Sequence, residues 1–218
     1  MGDLNGDGSN DVALGNASGG NGEVHILQLN SDHVRTFRPW DNYSGGLRFA
    51  IGNVTRSRGR ELLITQAAGG DMRLYKFNEL MEQTELGRGY SFGPSYTGGI
   101  WPALGDLNND CLADLVMGMG TGMPHMRMFN VRGESITVLG DLRAFDSMNG
   151  GVRVAAGKDA GRPYVLAVSG MNIRKFRSLS TGDWGYDSGF APNPFGRIAN
   201  ILFGVSTFTP PEERVDER

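Results

Sequence analysis

The chain has 218 residues, 34 of them glycine, with 21 Lys and Arg against 24 Asp and Glu for a formal net charge of −3. Mixed charge of this size leaves no electrostatic footprint for nucleic acid, no apolar run is long enough to span a bilayer, and the single Cys111 excludes an intrachain disulfide. Glycine stands at about twice its usual share, and no long window carries a helical apolar stripe, so the expectation is an all-β chain of short strands and tight turns.

Residues 3–11 read DLNGDGSND and run at once into VALG at 12–15. Side-chain oxygens fall on Asp3, Asn5, Asp7 and Asp11, with Gly8 at a sharp turn. This is the spacing of a calcium loop that takes oxygens from alternate residues and a backbone carbonyl near Ser9. An EF-hand would put a bidentate Glu at its twelfth position, where Leu14 stands, and would sit between helices. Here a β-type apolar run follows instead. Met1 leads straight into the loop, so no signal peptide is visible in this chain.

A first unit, about 1–44, continues through the strand candidates EVHILQLN (23–30) and VRTF (34–37) to Trp40 and Tyr43. A second, about 45–97, opens with GGLRFAIG. It keeps the loop length in NVTRSRGRE (53–61), although three arginines there would repel a cation. Strand candidates ELLIT (61–65) and MRLYKFN (72–78) follow. The third unit, about 98–149, has GIWPALG (99–105) and then DLNNDCLAD (106–114), which repeats the first loop. Its oxygens fall on Asp106, Asn108, Asp110 and Asp114, with the Leu112 carbonyl at the backbone position and Cys111 in place of the turn glycine. The fourth, about 150–194, has GVRVAAG (151–157), a shortened loop KDAGRP (158–163) and the strand candidates YVLAV (164–168) and NIRKF (172–176).

One order thus recurs about every fifty residues: a Gly-Gly strand, a loop, a Val/Leu strand, a Gly-rich turn, a third strand and an outer strand. That period suits one four-stranded propeller blade. The pattern, carried by GDLNGDG (2–8), PHMRMF (124–129) and GGVRVAAG (150–157), resembles the FG-GAP/VCBS repeat family, whose calcium-loop propellers include the head of integrin α chains. The resemblance implies a β-propeller of about four four-stranded blades over 1–209. It implies two Ca2+ sites on the two loops named above, and none in the second and fourth units. The first unit lacks an inner strand. FGRIANILFG near the end, within 195–205, reads as one that would close the first blade, or else the ring is larger or shared. Residues 210–218 form a charged tail.

Other chemistry is thin. His25, His33 and His125 show no triad or metal spacing. Met117, Met119, Met123, Met126 and Met128 could hold soft copper, but alternation along a strand favours core packing. Trp40, Tyr43, Phe92, Tyr96, Trp184 and Tyr186 recur where one blade hands over to the next. Buried, they wedge blades together; exposed, they bind partners. Trp40 and Trp184 are the best candidates for exposure, with Tyr43 and Tyr186 beside them.

The reading is a non-catalytic, calcium-stabilised binding or scaffold module in an extracytoplasmic setting (secreted, cell surface or periplasmic). Its partner would be a protein or glycan, and it could be a homo-oligomer or part of a larger complex. A structural accessory subunit is the alternative. A polysaccharide-active enzyme, suggested by lyases that resemble this family, is the third reading.

Overall fold

The computed structural model describes residues 1–133, 135–146, 149–178 and 183–188. These form four antiparallel sheets and no helix. The first sheet is β1 (Asp11–Gly15), β2 (Val24–Gln28) and β3 (Val34–Phe37). The second is β4 (Leu47–Gly52), β5 (Glu61–Gln66), β6 (Asp71–Phe77) and β7 (Gln83–Tyr90). The third is β8 (Ile100–Gly105), β9 (Asp114–Met119), β10 (His125–Arg132) and β11 (Ser135–Arg143). The fourth is β12 (Arg153–Asp159), β13 (Arg162–Ser169), β14 (Asn172–Ser178) and β15 (Trp184–Tyr186). In every sheet the strands pair in chain order, so each is an up-and-down blade. The architecture is that of the blades of a four-bladed β-propeller.

The innermost strands lie side by side, β4 against β8 and β8 against β12, while β4 also touches β1, the second strand of the first blade. Pro102 sits on β8, whose outer edge carries no strand among the described residues, so its missing N–H breaks no ladder. In the first sheet the innermost place is held by one bridge, Gly2 to Asp11. It is the equivalent of the pairs Gly52 to Glu61 and Gly105 to Asp114. The expected closing strand at 195–205 and the tail at 210–218 lie outside the described residues.

Three apolar cores fill the three interfaces between successive blades. Leu4, Val24, Ile26 and Trp40 of the first blade meet Leu62, Ile64, Tyr75 and Phe77 of the second. Leu63, Met72 and Leu74 point the other way, onto Ile100, Leu115 and Met117 of the third. Val116, Met126 and Met128 then meet Val165, Ala167 and Phe176 of the fourth. Successive side chains of a strand face opposite sides, so a second strand covered on both faces must be apolar throughout. That is why Leu62, Leu63 and Ile64 are all fully buried. The methionines 117, 126 and 128 are also fully buried core residues.

Glycine at the ends of β4 and β8 lets the blades approach. A Cβ at Gly52 would stand 2.9 Å from Leu104 Cβ, and one at Gly105 would stand 2.6 Å from Ala156 Cβ. The shortened fourth loop proves not to be a loop. β12 and β13 stay paired to Asp159 and Arg162, closed by Ala160 and Gly161 at φ 49° and 74°. Two left-handed residues in a two-residue turn match the twist of a hairpin.

The other ends of the innermost strands are clamped by the Gly-Gly pairs. Gly46 accepts from the Ala67 N–H at 2.9 Å and Gly99 from the Gly120 N–H at 2.7 Å. Tyr43 and Tyr96 donate their hydroxyls to the same two carbonyls, at 2.7 and 3.0 Å. Gly99 combines a φ of 81° with a would-be Cβ 2.1 Å from the Ala67 carbonyl oxygen. Gly99→Ala should therefore cost about 1–3 kcal/mol. Gly87→Ala, in open space on β7, should stay within about 0.5 kcal/mol of the parent. Urea denaturation of the two variants checks this, and equal midpoints would contradict it.

Candidate metal loops

Each of the first three blades turns from its innermost to its second strand through nine residues that end in a buried carboxylate. Asp11, Glu61 and Asp114 are all 0% exposed. Each accepts the N–H of the residue seven earlier: Leu4 to Asp11 Oδ2 at 2.8 Å, Val54 to Glu61 Oε2 at 2.7 Å, and Leu107 to Asp114 Oδ2 at 2.8 Å. The loops also join to each other. The Arg60 N–H donates to the Asp3 carbonyl at 2.7 Å, and the Ala113 N–H to the Asn53 carbonyl at 2.6 Å. The eighth residue of one loop thus rests on the first residue of the loop before it.

In the first loop, Asp3 receives the N–H groups of Gly6, Asp7 and Gly8 at 2.7–3.1 Å. Asp7 receives the Ser9 N–H and the Asn5 and Asn30 amides, and these bonds hold its carboxyl below the usual range. Asp11 behaves oppositely. Burial pushes its carboxyl up despite the Leu4 N–H, and the charges of Asp7 and Asp3 add to the rise. Its Oδ1 is buried without a hydrogen-bond partner.

The second-blade loop, which arginines were expected to spoil for metal, is built differently. Thr55 and Ser57 stand where the first loop has Asn5 and Asp7. Both donate hydroxyls to Glu61 Oε1, Ser57 at 2.6 Å, and the Thr55 N–H adds a bond to Oε2 at 3.1 Å. The carboxylate is satisfied from within the loop. Sequence reasoning missed this arrangement, although hydroxyls at both alternate positions signalled it. Arg58 and Arg60 face the neighbouring loop: Arg58 packs against Gly6 and pairs with Glu79.

In the third-blade loop Asn109 and Cys111 take φ values of 63° and 69°, matching Gly6 and Gly8 at 79° and 92°. The backbone shape therefore persists without its glycines. The oxygens are more engaged than in the first loop. Lys158 Nζ reaches Asp106 Oδ2 at 2.7 Å, Arg132 pairs with Asp110, and Asn130 donates to Asp114 Oδ1 at 2.9 Å. Burial alone would raise the Asp106 carboxyl, but Lys158 and the Cys111 N–H outweigh it and the net shift is downward. Asn108 is exposed, and the Leu112 N–H donates to Asp110 Oδ1 at 3.0 Å. Among the described residues, no three His, Cys, Asp or Glu side chains converge as a metal cluster.

The aromatic candidates divide. Trp40, expected to be exposed, is 9% exposed. It lies in the first interface core, and its indole N–H donates to Asp71 Oδ2 at 2.6 Å. Tyr43 is half-buried as an inter-blade clamp. Trp184 packs half-buried against the third interface, and Tyr186 is exposed. His25 and His125 sit in different blades, bonded to Thr36 and Asp141.

Glu61→Ala would strip four donors of their acceptor in a buried setting. The expected cost is about 3 kcal/mol, the same with calcium and with chelator, because the partners of this carboxylate are the N–H and hydroxyl groups of its own loop. Paired melting curves check it, and a loss seen only in calcium would count against the hydroxyl account.

Residues 1–27 match the family model of the FG-GAP repeat. No curated protein matches the chain. Among solved structures, the Pseudomonas aeruginosa PilY1 C-terminal domain aligns with a TM-score of 0.47 and 14% identity, covering 78% of this chain and 38% of that one. The chain thus spans well under half of that structure. The first 27 residues, which hold the first loop, carry an FG-GAP repeat, and the blades that follow are consistent with the FG-GAP β-propeller family.

Proposed function

We propose that the chain is a non-catalytic, calcium-stabilised module that presents its propeller loops to a protein or glycan partner. The observation that carries the calcium reading is Asp11 Oδ1, a buried carboxylate oxygen without a partner. It lies in a loop that also supplies the side-chain oxygens of Asp3, Asn5 and Asp7 and the Ser9 carbonyl. Buried oxygens of that kind are costly unless a donor or cation meets them, and an all-oxygen set suits a hard cation. The third-blade loop offers Asp106, Asn108, Asp110, Asp114 and the Leu112 carbonyl. A cation there must first displace Lys158 and Arg132, so this site would be the weaker. An extracytoplasmic setting accords with calcium modules that work at about 10⁻⁴–10⁻³ M. No helix among the described residues is long and apolar enough to cross a membrane.

A second reading, the structural accessory subunit, draws on the outer strands. Val34 on β3 and Ile136 and Val138 on β11 are 57%, 51% and 61% exposed. Apolar side chains along edge strands suit a docked partner. Native mass spectrometry of the complex isolated with the chain separates this reading from glycan binding scored on an array.

At a hundredfold excess over Kd, calcium should raise Tm by about 5–10 °C over chelator. Asp7→Ala should lose the tighter ion, whereas Ser57→Ala should lose none. Ion counting by native mass spectrometry checks both, and identical melting curves with and without calcium would remove the calcium reading.

Asp11→Asn should behave with two signs. A carboxyl whose folded pKa is raised binds its proton more readily when folded. Its ionised form therefore disfavours folding above that pKa, and the effect is relieved as pH falls. The amide should make the chelated protein as stable as the parent or more so at neutral pH, and should remove the part of the calcium gain that the first loop supplies. A variant that still gains from calcium as the parent does would contradict this.

A further inference from the structure

We propose that the three innermost strands, at their Gly-Gly ends, form a binding site for a small oxyanion, a carboxylate or a sulfate group, held by Arg48 and Arg153 beside Trp101. The three residues occupy one repeat position. Each stands two places after the second glycine of its pair, Gly46, Gly99 or Gly151, at the start of β4, β8 and β12. Both guanidinium groups lie over the same indole, Arg48 Cζ at 3.7 Å from the ring centroid and Arg153 Cζ at 4.4 Å.

What distinguishes these two cations is what they do not face. Arg73, Arg127 and Arg177 each bond a carboxylate. Among the described residues, neither Arg48 nor Arg153 has a carboxylate within ion-pair distance. Arg48 Nη1 is buried and meets no acceptor. The Gly46 and Gly99 carbonyls at these strand ends are already taken, accepting the Tyr43 and Tyr96 hydroxyls and the Ala67 and Gly120 N–H groups.

Stacking alone is the plainer account, since arginine commonly lies on aromatic rings. A guanidinium stacked for packing normally keeps its N–H edge in water, as exposed Arg153 can. Arg48 keeps one nitrogen neither in water nor bonded. Burial, and then the like charge of Arg153, lowers its pKa to about 10. An oxyanion would accept from that nitrogen, neutralise the pair and match the planar fork of each guanidinium. The site is at the opposite ends of the innermost strands from the candidate metal loops and does not depend on calcium.

The test uses the full chain and its tryptophan emission. Sulfate is titrated against chloride at constant ionic strength, and sodium glucuronate against glucose. Saturable binding of sulfate, of glucuronate or of both is expected, with no response to glucose. The arm that responds identifies the sulfate or the carboxylate as the group preferred. Arg153→Gln, at an exposed position, should melt like the parent and bind about tenfold more weakly. Arg48→Gln should lose more, and if it does not fold, Arg153→Gln decides alone. The proposal is overturned if neither anion binds, if glucose binds as well as glucuronate, or if Arg153→Gln binds like the parent.

Discussion

A buried carboxylate at the end of each loop is the constraint on which the blade geometry depends. Its oxygen fixes the N–H seven residues back, so nine residues must curl around it before the second strand can begin. The bond is made in a buried setting, where a lost acceptor costs about 1–3 kcal/mol. The same residue opens the second strand and pairs with the last glycine of the innermost one. Loop shape, strand register and blade spacing are therefore set at one point. The loops then lock to each other through the Arg60 and Ala113 N–H groups, carrying the geometry from blade to blade.

Three loops solve the problem of the second carboxylate oxygen in three ways. Glu61 turns it to the hydroxyls of Thr55 and Ser57. Asp114 turns it to the Asn130 amide. Asp11 leaves it without a partner. The backbone scaffold is common and the side chains around the carboxylate differ, so a likeness of loop length says little about metal. The oxygen inventory at alternate positions says more. The fourth blade drops the device and closes a hairpin, and there Lys158 reaches back to Asp106 across the interface that a loop contact would otherwise span.

Much of the fold was legible because glycine and apolar periodicity mark it directly. The fully apolar second strands, such as Leu62 to Ile64, are what a strand covered on both faces requires. The Gly-Gly pairs and the terminal glycines Gly52 and Gly105 mark where blades touch. Other features were not legible. Trp40 reads as exposed from its place in a turn, yet the core between the first two blades takes it in, and Asp71 satisfies its N–H. That bond spans 31 residues, beyond anything local pattern reveals. The roles of Lys158 and Arg132 likewise arise only when blades and strands bring distant cations onto the third-blade loop. The candidate ligands of the first loop stood out because all four fall within nine residues of sequence.

The two ends of the innermost strands carry opposite chemistry, and strand length keeps them apart. Six residues of strand span roughly 20 Å, about two and a half times the screening length at physiological salt. One end gathers Asp3, Asp7, Asp11, Asp106 and Asp110, with Arg58 beside the first loop and Lys158 and Arg132 paired to Asp106 and Asp110. The other gathers Arg48 and Arg153 around Trp101. A formal net charge of −3 conceals this division, because the sum averages over it. The blade repeat produces the division by assigning one strand end to the loop and the other to the Gly-Gly clamp. Each blade added therefore repeats the loop position at one end and the Arg/Trp position at the other, where the side chain is free to change without altering the backbone.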